Sequence, residues 1–381
     1  MGRHEEALKI LHGGTVIPAI PLVLDENRKF NEAGQRTLIR YYLDAGVGGL
    51  AVAVHTTQFE IRKPEVGLFE PVLRVTKEEM DAYEARTGKT LVRVAGACGE
   101  AEQACAEART AKALGFDAVL LSPGGLAHRT EEELVERTHA VAAEMPVIGF
   151  YLQTACGGRR LSYEYWKAVA DTPGVVAIKC ASFNRYQSID LVRGVAYSAR
   201  REEIALYTGN DDNIVADLLT PYRFPVDGKE VELRFVGGLL GHWSVWTHSV
   251  VKLYEELREY RDGRDIPAEL LARGAAVTDC NGVFFDVAHN FAGCIPGVHE
   301  VLRRCGSAGC SVPQRGRRGL CACGGNAGGG CGDRPFRPAS RTCERGAGDH
   351  VRYRQPTVRP AGRGACVRAP ERRGPGHGGA S

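Results

Sequence analysis

Eight short apolar runs, separated by longer amphipathic stretches, constrain this chain more than any other feature. They read TVIPAIPLVLD (15–25), GGLAVAV (48–54), TLVRVAGA (90–97), AVLLSP (118–123), PVIGFYLQ (146–153), VVAIKCAS (175–182), IALYTGND (204–211) and RFVGGLLG (234–241). Most carry β-branched residues or Leu at successive positions, as strands buried on both faces of a parallel sheet do. Between them, NEAGQRTLIRYYLDAG, EAEQACAEARTAKALG and TEEELVERTHAVAAEM place apolar residues at spacings of three and four, the helical period. Gly46 and Gly115 stand where two of these helices should stop, because glycine enters the left-handed region without steric cost. Thr130 followed by Glu133 offers the third a reciprocal N-terminal cap.

Eight strand–helix repeats predict an α/β fold, a (β/α)8 TIM barrel. An open doubly wound sheet would need a glycine-rich phosphate turn after the first strand, and PLVLDENRKF has none. After the eighth run, SVWTHSVVKLYEELREYRDG reads as a long helix, and PAELLARGAAVTDC and GVHEVLRRC as two more. The expected organisation is a barrel over 1–262, a small C-terminal helical extension over 263–304, and a tail over 305–381. In that tail Ile, Lys and Met vanish and Gly, Arg, Pro and Cys take over. Such a segment buries too little apolar surface to offset the entropy of ordering it, so it is expected to be disordered. A shifted reading frame in GC-rich DNA produces this composition.

The net charge of +3 hides the same division. From Cys305 onward there are 14 Arg against 4 acidic residues, or +10, which leaves −7 for residues 1–304. An acidic body argues against a nucleic-acid partner. The basic tail lacks the interleaved aromatics of a nucleic-acid-binding segment. Of its seven cysteines, the run Cys305, Cys310, Cys321, Cys323, Cys331 matches no standard pair of zinc-binding spacings, so no metal is expected. The absence of an apolar leader or of an apolar run of about 20 residues makes a cytoplasmic protein without a membrane partner the expectation.

In a barrel the reactive residues sit where strands end. Lys179 lies inside the apolar run VVAIKCAS. One reading is a strand-end lysine that reaches solvent. The other is a desolvated amine, neutral enough to add to a carbonyl. Tyr151, at the end of the preceding run, is either a core tyrosine or a phenol that shuttles protons beside that lysine. His55-Thr56-Thr57 follows the second run, either as a hydroxyl-rich turn or as a carboxylate cradle. His242, Trp243 and Trp246 after the last run either line a pocket or pack against the C-terminal helices. His128 and Arg129 either meet an anionic substrate or open a solvated helix.

Taken in order, these residues resemble the dihydrodipicolinate synthase / N-acetylneuraminate lyase family of pyruvate-dependent class I aldolases. The shared features are TT after the second strand, Tyr at the end of the fifth, IK on the sixth, the G-N-D-D turn from Gly209 to Asp212, and Gly237-Gly238 on the eighth, all within about residues 12–303. The resemblance implies that Lys179 forms a Schiff base, that Tyr151 shuttles protons, and that Thr56 links to it in a relay. It implies that Thr57 holds the carboxylate of a 2-oxo acid, and that Gly209, Asn210, Asp211 and Gly238 line the substrate site. It further implies no cofactor beyond the covalent Schiff base, a 2-oxo acid and an aldehyde as small-molecule partners, and a homo-oligomer, dimer or tetramer.

Three segments depart from the family pattern. The usual G-T-T-G-E is H-T-T-Q-F-E here, with His55 and Gln58 in place of the glycines. Cys156 stands where dihydrodipicolinate synthases carry an arginine that binds the second substrate's carboxylate, although Arg159 and Arg160 follow. Gly124 and Gly125 replace a tyrosine after the fourth strand. The expectation is therefore an aldolase-type lyase whose second substrate is not the one used in lysine biosynthesis. A sugar-acid dehydratase on the same Schiff-base chemistry, or a catalytically weak small-acid-binding scaffold, are the alternatives.

Overall fold

The eight apolar runs form eight parallel strands in a computed structural model that describes residues 2–261, 263 and 265–305. These are β1 (Val16–Pro18), β2 (Gly49–Val52), β3 (Val92–Ala97), β4 (Ala118–Leu121), β5 (Val147–Leu152), β6 (Val175–Ala181) and β7 (Ala205–Thr208). An antiparallel hairpin, β8 (Tyr222–Val226) and β9 (Lys229–Leu233), precedes the last barrel strand, β10 (Phe235–Leu240). Strand neighbours run β1-β10-β7-β6-β5-β4-β3-β2. A parallel bridge from Ala19 to Ala51, with Ile20 N–H donating to the Ala51 carbonyl at 2.9 Å, joins the two ends. The sheet thus closes as the (β/α)8 barrel that the repeats predict. The first run pairs over far fewer residues than its apolar length suggests, because Pro18 and Pro21 have no amide hydrogen for the ladder.

The helices are α1 (Arg3–Gly13), α2 (Glu32–Asp44), α3 (Phe69–Thr87), α4 (Ala101–Ala113), α5 (Glu131–Ala142), α6 (Tyr163–Asp171), α7 (Arg185–Ala196), α8 (Ile214–Leu219), α9 (Thr247–Glu259), α10 (Ala268–Phe284) and α11 (Cys294–Arg304). The foreseen punctuation is present. Gly46 and Gly115 follow α2 and α4 with φ of 91° and 81°. At α5 the Glu133 amide donates to Thr130 Oγ1 at 3.2 Å, and the Thr130 amide donates to Glu133 Oε2 at 2.7 Å.

Two elements went unread in the sequence. Helix α1 precedes the barrel and packs beneath it. Leu11 joins the interior cluster, and the Tyr207 hydroxyl donates to the Leu11 carbonyl at 2.7 Å. The β8–β9 hairpin turns on Asp227 and Gly228, both at positive φ (50° and 76°), as a two-residue Asp-Gly turn requires.

Side chains divide into two packed layers. Ile17, Val94, Leu120, Ile148, Phe150 and Tyr207 point into the barrel. Strand residues of the opposite parity, among them Tyr151, Ile178, Cys180 and Leu206, pack outward against the helices. Among the described residues no helix is long and apolar enough to cross a membrane. The tail expected to be disordered, from residue 306 onward, lies outside the described residues.

Candidate active site

Lys179 sits near the C-terminal end of β6, paired in register with Phe150 on one side and Tyr207 on the other. Both neighbours belong to the interior layer, so the lysine shares the barrel-facing side. It is 7% exposed, and its Nζ lies 4.3 Å from the centre of the Phe150 ring. Burial withholds the water that would solvate an ammonium and pulls its pKa down to about 8; the negative charge of Asp211 opposes the shift without cancelling it. The side chain runs across Gly209, just after the next strand. A Cβ there would overlap Lys179 Cε and lie 2.8 Å from Ala181 Cβ. Gly209 is thus the space that the lysine occupies.

Asp211 follows two residues after Gly209 and is 8% exposed. Burial raises its pKa to about 7, while the amide of His242 and the charge of Lys179 pull the other way. Its placement depends on two segments. Oδ1 accepts from the His242 amide at 2.8 Å, and its main-chain carbonyl accepts from Asn281 Nδ2 at 2.6 Å. Asn281 Oδ1 in turn meets His242 Nδ1 at 2.6 Å, closing the triangle. Burial lowers the His242 pKa to about 4, so this imidazole is neutral near pH 7. Asn281 belongs to α10, outside the barrel, and sequence reasoning gave it no role.

The structure does not bring Tyr151 to Lys179. Tyr151 pairs with Cys180, one residue beyond the lysine, and both belong to the outer layer. Its ring lies 5.1 Å from that of Trp166 on α6, and its hydroxyl accepts from the Leu161 amide at 3.2 Å. The residue of β5 that faces Lys179 is Phe150, which has no proton to give. The expected lysine–tyrosine pairing is corrected on this point, and so is the Thr56–Tyr151 relay that depends on it.

The other expected residues divide between mouth and scaffold. His55 is near Lys179, whose charge adds to burial in lowering the imidazole pKa. Thr56 is buried in the same single turn, and its hydroxyl bonds to none of the described residues. Thr57 is spent on structure: its hydroxyl donates to the Ile20 carbonyl at 2.7 Å and its amide to Val54 at 3.0 Å. Asn210 is fully buried and faces outward, its amide nitrogen donating to Ser188 and Asp217 and its oxygen accepting from the Phe183 amide. Gly238 also faces outward, where any Cβ would overlap the ring of Trp243. Neither lines the interior.

Cys156 lies close enough to Lys179 and Asp211 to interact with both charges, and burial pushes its thiol pKa up. Cys294, at the start of α11, shares this neighbourhood; burial raises its pKa to about 12. Arg159 turns away and donates to the carbonyls of Ala127 and Arg129. His128 and Arg129 pair with Glu100 at the surface. Trp243 packs on Tyr254, and Trp246 on His242 and Phe284, which favours packing over a pocket role for the tryptophans. Among the described residues no group of three or more His, Cys, Asp or Glu is arranged to hold a metal ion.

Comparison with known proteins identifies the family of the chain. An "Uncharacterized DapA-like lyase" of Rhizobium meliloti is 27% identical over 195 residues, 51% of this chain and 60% of that protein. The N-acetylneuraminate lyase of Escherichia coli (strain SMS-3-5 / SECEC) is 25% identical over 207 residues, 54% of this chain and 65% of that protein. The chain therefore spans less than two thirds of the length of these curated relatives. Among solved structures, YagE, a prophage protein of the dihydrodipicolinic acid synthase family from E. coli K12 in complex with pyruvate, superposes with a TM-score of 0.60 at 17% identity. The match covers 77% of this chain and 89% of that one, and at this identity the likeness is one of fold. The sequence pattern of the dihydrodipicolinate synthetase family matches residues 13–220, more than half of the chain, and the chain belongs to that family.

Proposed function

We propose that the protein is a Schiff-base lyase that cleaves or condenses a 2-oxo acid of the pyruvate type with an aldehyde, with Lys179 as the nucleophile. The observation that carries this reading is a lysine buried at the end of a barrel strand, its pKa drawn down to about 8. Family membership and the pyruvate complex of YagE support the same substrate class. The neutral amine adds to the 2-oxo carbon, and loss of water leaves an iminium. That cation lies over the electron-rich face of Phe150, which stabilises a positive charge. The iminium draws electrons from the adjacent carbon, so a C–C bond forms or breaks there. Dehydration of a sugar acid would use the same iminium, and product analysis over a panel of aldehydes and sugar acids separates the two.

Borohydride reduction in the presence of pyruvate tests the nucleophile. The reduced adduct is expected on Lys179, and Lys179→Ala removes both adduct and turnover. An adduct on another lysine, or none, overturns the reading.

A further inference from the structure

With Tyr151 packed outward, the Schiff base lacks the proton carrier that the sequence led one to expect. We propose that Asp211 carries the protons of Schiff-base formation and enamine formation, with Asn281 of α10 as its positioning residue. This rests on the proposed role of Lys179 and adds to it a partner and a structural source for that partner.

Three observations converge. First, β7 lies beside β6, and the Gly209 amide donates to the Cys180 carbonyl at 2.6 Å, so the loop bearing Asp211 starts level with the end of β6. Lys179 lies across the bare backbone of Gly209, two residues before Asp211. Second, the carboxyl group is held from both sides. The His242 amide fixes Oδ1, and Asn281 fixes the main chain of the same residue. The carboxylate cannot rotate away without breaking the His242 bond. Third, the other titratable groups near Lys179 are poorly suited to both hold and release a proton near pH 7. Cys156 and Cys294 have raised pKa values and stay protonated near neutrality, and Phe150 has no exchangeable proton. His55 is drawn down by burial and by Lys179 itself.

The groups facing Asp211 are Lys179 from β6, Cys156 from the loop after β5, Asp212 beside it, His242 after β10 and Cys294 of α11. Of these, the charge of Lys179 lowers the Asp211 pKa and that of Asp212 raises it. A carboxyl whose proton is lost and regained in that range matches the requirement for general acid–base work.

The steps balance as follows. The Lys179 lone pair attacks C2, the carbonyl π pair moves to oxygen, and that oxygen takes the Asp211 proton. The Asp211 carboxylate then removes the extra proton from nitrogen. It returns this proton to the carbinolamine hydroxyl, which leaves as water with the C–O pair while the nitrogen pair forms C=N. Finally the carboxylate takes a proton from C3; the C–H pair becomes the C=C bond of the enamine, and the C=N π pair returns to nitrogen.

Hydrogen–deuterium exchange at C3 of pyruvate, followed by NMR on the full chain, reads this last step without an aldehyde. Asp211→Asn keeps the shape and the Oδ1 contact. It is expected to slow exchange by about 10²–10⁴-fold, the usual worth of a positioned acid–base group, while borohydride still traps pyruvate on Lys179. It should also remove the part of the acid-side fall of the exchange rate that comes from protonating this carboxylate. Asn281→Ala is expected to lower the exchange rate by between tenfold and about 10²-fold with little change in half-saturating pyruvate, as misplacement of a reacting group does. Tyr151→Phe should stay within about threefold of the parent, far below the effect of removing an acid–base group. The proposal is overturned if Asp211→Asn stays within that same margin, or if Tyr151→Phe shows the large loss instead. If the parent protein fails to trap pyruvate at Lys179, the proposed function falls and takes this inference with it.

Discussion

The lowered pKa of Lys179 makes a quantitative demand on the pH dependence of Schiff-base formation. The reactive species is the neutral amine. At pH 7 an amine with the ordinary lysine pKa is neutral in only about 3 molecules in 10⁴, whereas one at about 8 is neutral in roughly 1 in 10, a gain of about 300-fold. The direction follows from the cause. Burial penalises the charged form, so the proton leaves at lower pH in the folded protein than in the unfolded chain. Rapid-quench borohydride trapping with saturating pyruvate measures the rate directly. Between pH 6 and pH 9 the trapping rate should rise by about two orders of magnitude and then flatten, with a midpoint near 8. Asp211 modifies the profile, because its charge favours the ammonium. Asp211→Asn should therefore move the midpoint to lower pH. A rate that keeps rising about tenfold per pH unit from pH 8 to nearly pH 10 would mean an ordinary, solvated lysine and would refute the reasoning.

Three further outcomes follow from the packing. Gly209→Ala places a methyl group where Lys179 Cε lies, so trapping should fall at least tenfold while circular dichroism shows the barrel intact. Tyr151→Phe leaves the buried Leu161 amide without its acceptor and should lower unfolding stability by about 1–2 kcal/mol in a denaturant titration, with turnover preserved. Incubation with pyruvate and aspartate semialdehyde should give little condensation product, since Cys156 replaces the carboxylate-binding arginine and Arg159 is committed to main-chain carbonyls; efficient condensation in a coupled assay would contradict this.

The barrel was legible because its evidence is distributed: each buried strand repeats the same apolar pattern, and glycine and capping residues mark the helix ends. Lys179 was legible because a lysine inside an apolar strand is chemically anomalous. The facing of Tyr151 was not. In VIGFYL every residue is compatible with burial, so composition does not say which parity points inward. A register shift between β5 and β6, where Val147 pairs with Val175 but Ile148 with Ala177, means that parity cannot simply be counted across the strands. The Asp-Gly pair at 227–228 was a hairpin signal that could have been used. Asn281 left no such trace, because its role arises only when a distant helix folds back onto the loop after β7.

That distance has a thermodynamic consequence. Of the 17 residues of α10, only Leu270, Asn281 and Phe284 are buried. Little apolar surface anchors the helix, so it opens at a lower free energy than the barrel strands. Each such opening releases Asn281 and with it the grip on Asp211, while Lys179 and the strands that carry it stay folded. On mild warming or in low denaturant, amide exchange in α10 should therefore rise together with loss of turnover, well before the cooperative melting of the barrel. A helix outside the barrel would thereby set the working temperature of the residues inside it.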